Sequence, residues 1–190
     1  MTNVRTDATS DYIIDVLTLG FIADPILRWL YPEPRAYLEN FPKTARLFGG
    51  AAFANETALN VDGGHAAAMW LPPDSHPDGD GLMALFEAVL SHDVLEDAYK
   101  VFEIMDEIHP TEPCWHLAFV ATDPASRRKG YGSALIEHVL PRCDAEQKVA
   151  YLENTNPANT ALYERHGFHV IGEIQAGKAP PMLAMRRDPH

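Results

Sequence analysis

The segment Asp123-Pro124-Ala125-Ser126-Arg127-Arg128-Lys129-Gly130-Tyr131-Gly132-Ser133 has the residue types and spacing to hold phosphate oxygens. A turn leaves an apolar stretch and enters a helical pattern, and the first N–H groups of a helix have no partner inside it. Gly130 and Gly132 lack a Cβ, so another group can come close to the main chain. The positive end of the helix dipole favours an anion there, and Arg127, Arg128 and Lys129 add cationic donors. Standing alone, these residues fit a solvated basic turn before an ordinary helix equally well, because short glycine motifs recur by chance.

Two common phosphate motifs do not match. A dinucleotide fingerprint would carry a third glycine where Leu135 stands and would follow its strand directly, although Glu153 does end the next strand about twenty residues on. A Walker loop needs Gly-Lys-Ser/Thr after four intervening residues, which this chain lacks. The pattern is instead Arg127-x-x-Gly130-x-Gly132.

Several elements must position that loop. Asp11 to Phe21 has helical spacing, with Thr9 or Ser10 as N-cap, and the pattern resumes after Asp24-Pro25 until Pro32. A further helix is predicted from Pro34 to Gly49 or Gly50, kinked or split by Pro42. Thr57 to Leu71 reads as a hairpin around Asp62-Gly63-Gly64, and Pro72 to Gly81 as a loop. Leu82 to Leu90 and Val94 to Ile108 have helical periodicity. Trp115 to Ala121 and Val149 to Leu152 are apolar enough for strands covered on both faces. A helix from Gly130 to Leu140 lies between them, a short helix from Asn159 to His166 ends at Gly167, and strands at His169 to Ile174 and Met182 to Met185 close the chain. This order is a mixed α/β fold.

Composition narrows the function. The 190 residues suit one domain, and 15 basic against 27 acidic residues give a net charge of −12. That balance excludes a basic face for nucleic acid and is compatible with a cationic small molecule. Cys114 and Cys143 are far apart and outside any CxxC spacing, a pattern of reduced cytosolic proteins. With a polar start and no membrane-length apolar run, the expected location is the cytoplasm. His166 and His169 find no further ligand at metal-binding spacing, so no metal site is expected.

The pattern Arg127-x-x-Gly130-x-Gly132 at a strand-to-helix junction resembles the GNAT superfamily of N-acetyltransferases. Asn156-Pro157-Ala158-Asn159-Thr160-Ala161-Leu162-Tyr163-Glu164-Arg165-His166-Gly167-Phe168 is similar to that superfamily's Asn-x-x-Ala-x-x-x-Tyr-x-x-x-Gly-Phe block. Within it, Trp115-x-Leu117, Tyr151-Leu152-Glu153 and the Met185-Arg186-Arg187 ending resemble the puromycin N-acetyltransferase group, with Asn154 departing from a usual Ser or Thr.

The resemblance implies a central mixed, mostly antiparallel sheet with a V-shaped opening between its two central strands, flanked by helices. It implies a single N-acetyltransferase domain, residues 1–110 forming the acceptor side and 111–190 the acetyl-CoA and catalytic side. Acetyl-CoA would be the co-substrate. Main-chain groups of Val120, Ala121 and Thr122 would pair with its pantetheine arm, with an N–H near Val120 as oxyanion donor. Arg127 and the stretch Arg128, Lys129, Gly130, Tyr131, Gly132, Ser133 would hold the diphosphate, with Asn159 on the other side. Tyr163 matches the superfamily's general acid, whose phenol holds its proton at neutral pH; a packing role beneath the helix is its alternative. Glu153, at a buried strand end where a carboxylate's pKa can be raised, is the candidate base, against a plain ion-pair role. His116 is a weaker base candidate, since a lone histidine in an apolar strand is more often a bonded core residue. Trp29, Tyr31, Trp70 and Phe86 are expected in the core, or partly along an acceptor pocket. The expected reaction is direct attack by a primary amine of a small molecule. Acetylation of protein or peptide amines, and a non-catalytic acyl-CoA-binding regulatory module, are the alternatives. Monomer and homodimer both fit.

Overall fold

A computed structural model describes residues 2–61 and 63–190. Asp62, assigned above to a hairpin turn, lies outside the described residues. Seven strands form one sheet in the order β1-β2-β3-β4-β5-β7-β6. These are β1 (Val4–Arg5), β2 (Ala58–Val61), β3 (Ala66–Leu71), β4 (Cys114–Thr122), β5 (Val149–Asn154), β6 (His169–Ile174) and β7 (Met182–Arg187). Neighbours are antiparallel except β4 and β5, which run parallel. This is the mixed, mostly antiparallel sheet expected above.

The parallel pairing is short. Only Cys114, Trp115 and His116 face partners on β5, namely Val149, Ala150 and Tyr151. Beyond them β4 continues to Thr122 and β5 to Asn154 without pairing, so the two strands part and each leaves a backbone edge free. Unpaired strand edges present a row of N–H and C=O groups that a ligand's amides can use.

Helices α1 (Ser10–Gly20), α2 (Pro25–Leu30), α3 (Pro34–Gly49), α4 (Ala51–Ala54), α5 (Gly79–Val89) and α6 (His92–Ile108) supply the core on one face of the sheet, and α7 (Tyr131–Ala145) that on the other, with α8 (Thr160–Arg165) adding Tyr163. Side chains alternate between the faces, as strand geometry requires. On β5, Val149 and Tyr151 enter the first core, Ala150 and Leu152 the second. On β4 the alternation inverts midway. Trp115 and Leu117 enter the second core, yet Phe119 and Ala121 enter the first. The cause is a β-bulge: Trp70 pairs with Leu117 and Met69 with Phe119, leaving Ala118 as the extra residue.

Local chemistry explains most helix starts. Thr9 accepts from the Tyr12 amide at the head of α1, and Asp24 from the Ile26 and Leu27 amides at the head of α2. Asp78 caps α5, which therefore begins at Gly79, inside the stretch expected to be loop. Two prolines fail to break their helices. Pro42 sits within α3, and α7 runs past Pro141 to Ala145 rather than ending at Leu140. The carbonyls they leave unpaired belong to Leu38 and Glu137, both exposed residues, so the lost bonds fall on solvent faces.

Candidate active site

A cleft opens where β4 leaves β5, between the start of α7 and the α1–α2 turn. Its walls include Val120, Ala121 and Thr122 from β4, and Gly130, Tyr131, Gly132 and Ser133 from the head of α7. Arg127, Arg128, Asn159 and Tyr163 also line it, whereas Lys129 does not. The first bond of α7 is Ala134 N–H to the Gly130 carbonyl, at 3.0 Å, so the amides of Tyr131, Gly132 and Ser133 are left for another acceptor. Gly130 has φ +83°, a left-handed conformation natural to glycine. A Cβ there would meet nothing within 4 Å, and at Gly132 only Thr122 and Leu162 at 3.8 and 3.9 Å. The space before these amides is therefore open, and the donors around it suit a diphosphate.

The loop is pinned from a distant part of the chain. His65, just before β3, accepts the Asp123 amide on its carbonyl at 2.8 Å, and its Nδ1 lies 3.1 Å from Ser126 Oγ. Its ring also stacks on Tyr131 at 5.5 Å. The other wall comes from Gly20, Phe21, Ala23 and Asp24. Arg127 reaches across to the Gly20 carbonyl at 3.2 Å. Sequence reasoning missed His65 and the Gly20 wall, because neither lies near the glycine loop along the chain.

Tyr163 lines both this cleft and an apolar cavity beyond it, where Val120, Leu117, Phe119 and Glu153 also lie. Burial, with the nearby Asp24 carboxylate, pushes its phenol above the usual tyrosine range, so it stays protonated. Asp24 is itself buried, and burial raises its carboxyl despite a 2.5 Å bond from Thr155 Oγ1 and two amides of α2.

Glu153 departs from expectation. Its Oε2 lies 2.7 Å from His116 Nε2, with both side chains 7% exposed. Burial alone would raise the carboxyl, but the charge of a protonated His116 and its hydrogen bond, aided by His109, outweigh it and hold Glu153 below its ordinary range. The expected upward tuning is overturned by a partner on the neighbouring strand. The Tyr151 hydroxyl is raised by burial and by the Glu153 charge, and it meets no partner within hydrogen-bonding geometry.

Glu153 and His116 also line a third cavity, between α5 and α6, whose mouth carries Asp80, Glu103 and Asp106 beside Tyr99 and Phe102. Trp29 and Phe86 line the apolar cavity, while Tyr31 and Trp70 are fully buried. Asn154 binds the turn after β5, donating to Thr160 Oγ1 at 2.9 Å and accepting from the Asn156 amide at 3.2 Å. Among the described residues no helix is long and apolar enough to cross a membrane, and no cluster could hold a metal ion.

Residues 95–168 match the acetyltransferase (GNAT) family. Over 136 residues, 57% of this chain and 90% of the relative, the chain is 26% identical to the peptidyl-lysine N-acetyltransferase YjaB of Salmonella typhimurium. Its whole length superposes on a Corynebacterium glutamicum structure described as histone acetyltransferase HPA2 and related acetyltransferase, with TM-score 0.69, 26% identity and 97% of that chain covered. A Drosophila melanogaster polyamine N-acetyltransferase shares the fold at TM-score 0.69 and 15% identity, over 99% of this chain and 100% of that one. Family members take their acyl group from an acyl-CoA, which the open amides at α7 suit. With its parted central strands and the matched stretch spanning both, the chain is similar to the GNAT family of acetyltransferases.

Proposed function

We propose that this chain transfers an acetyl group from acetyl-CoA to a primary amine of a small molecule, by direct attack. The observation that carries the reading is the continuity of three spaces. The α7 cleft meets the apolar cavity at Val120, Asn159 and Tyr163, and that cavity meets the acidic-mouthed one at Glu153. A donor on one side and an acceptor on the other would thus converge on Glu153 and Tyr163.

The free edge of β4 at Val120, Ala121 and Thr122 binds the donor's amide-bearing arm, and the α7 amides with Arg127 and Arg128 hold its diphosphate. An N–H near Val120 stabilises charge on the carbonyl under attack. Tyr163 gives its proton to the departing thiolate, and Glu153 with His116 forms the basic side of the site. Asp80, Glu103 and Asp106 at the mouth favour an acceptor that arrives as an ammonium. Burial pushes the Cys114 thiol up to about 11 and the Cys143 thiol up to about 12, so neither offers a thiolate for a covalent acetyl-enzyme.

The likeness of Trp115, Leu117 and Tyr151-Leu152-Glu153 to the puromycin group favours a small molecule over a protein lysine. A panel of antibiotics, polyamines, amino-acid derivatives and lysine peptides, assayed for released thiol with acetyl-CoA, tests this. Turnover with small amines is expected. Turnover with peptides alone, or tight acetyl-CoA binding without transfer to anything, would overturn it.

A further inference from the structure

We propose that His116, held by Glu153, is the group that receives the proton of the acceptor amine. The inference deepens the reading above and rests on it. The bulge at Ala118 turns Phe119 and Ala121 to the face that His116 already occupies. With it, His116 lies before the inversion and shares a face with Glu153, while Phe119 takes over the apolar wall beyond. The two polar side chains meet at 2.7 Å where the parallel pairing ends, His116 as its last residue on β4 and Glu153 two residues beyond its last on β5.

Hydrogen-bond bookkeeping then fixes the tautomer. An ionised carboxylate only accepts, so Nε2 of His116 carries the hydrogen, and in the neutral ring Nδ1 holds the lone pair. Among the described residues Nδ1 has no hydrogen-bond partner, and His116 lines the acidic-mouthed cavity and a further one beside it, walled by residues 74–77 and 109–114. An imidazole backed by a carboxylate is a suitable base toward an ammonium, because the charge it gains is neutralised where it forms: the protonated ring holds Glu153 below its ordinary range.

Of the ring-bearing groups near His116, His109 is already committed. His109 and Tyr151 pack on its ring at 5.8 and 5.4 Å, and Phe48 at 5.7 Å. His109 donates from Nδ1 to the Pro110 carbonyl at 2.9 Å, which leaves Nε2 to accept from the protonated Cys114 thiol 3.9 Å away. From α5, α6 and the loop before them, His76, Asp80, Glu103 and Asp106 face the same cavity. Of the two protons an ammonium loses on becoming an amide, one passes to His116 Nδ1, directly or through a water, and leaves by the mouth. The other replaces the proton that Tyr163 gives to sulfur as the C–S bond breaks and the N–C bond forms.

The test joins spectroscopy on the unliganded wild type with kinetics. Imidazole nitrogen NMR at neutral pH should show His116 neutral and protonated at Nε2. With the best amine from the panel, His116→Gln should lower kcat/KM by ~10²-fold or more, the usual worth of a general base. It should also erase the rise of rate with pH on the acid side, while acetyl-CoA Kd by calorimetry stays within about twofold. A doubly protonated His116 at neutral pH, or a variant that keeps that rise with a loss under about threefold, would overturn the proposal and leave acetyl transfer standing. No transfer to any amine by the wild type would instead overturn the function, and this inference with it.

Discussion

At the residue scale, the site is built from groups whose protonation is set by what lies beside them. Tyr163 is kept protonated by burial and by Asp24, the state a proton donor to a departing thiolate requires. Tyr163→Phe is therefore expected to lower kcat by ~10²-fold while acetyl-CoA Kd stays within about twofold, read by thiol release and calorimetry. An unchanged kcat would reduce Tyr163 to a packing residue against Phe168, whose ring lies 6.2 Å away. Glu153 shows the limit of residue-level reading. Its burial was legible from an apolar strand end, but its partner was not, because nothing in the sequence says that residue 153 lies beside residue 116.

At the element scale, the head of α7 and the divergence of β4 from β5 do the positioning. Gly130→Ala separates two contributions at that loop. Its Cβ would touch nothing, so the stability cost is backbone strain alone, about 1 kcal/mol. The same methyl enters the space before the α7 amides, so acetyl-CoA Kd should rise about tenfold, or ~1.4 kcal/mol. A destabilised variant with unchanged Kd would mean that the diphosphate is held elsewhere. Caps and glycines made these elements legible: Thr9, the Gly130 loop and Gly167 act through neighbours a few residues away. The bulge at Ala118 was not legible, since it exists only in the register between β3 and β4. Pro42 did not split its helix, because a proline's effect depends on whether the carbonyl left unpaired faces water.

At the scale of the whole molecule, the two halves of the chain meet at the site. α1, α2, α5 and α6 wall the spaces that the second half's strands open. The last strand is fastened to α7 by Arg187, whose Nη1 and Nη2 donate to Asp144 at 2.8 and 2.9 Å from a nearly buried guanidinium. Hydrogen bonds from Arg187 hold the Asp144 carboxyl below its ordinary range. A carboxyl lowered on folding stabilises the fold above its unfolded value, near 3.9, and that contribution is lost as pH falls through the folded value. Asp144→Asn should cost about 2 kcal/mol at neutral pH in chemical denaturation and flatten the acid limb of stability. Equal stability of variant and wild type would show the clamp to be worth nothing. The cavity proposed for the acceptor was illegible in sequence because it is assembled from distant helices around Glu153. The most direct measurement is a crystal structure of the acetyl-CoA complex. The diphosphate should lie on the amides of Tyr131, Gly132 and Ser133, with the thioester between Glu153 and Tyr163. A coenzyme bound away from the α7 loop, or with its sulfur turned from Tyr163, would contradict it.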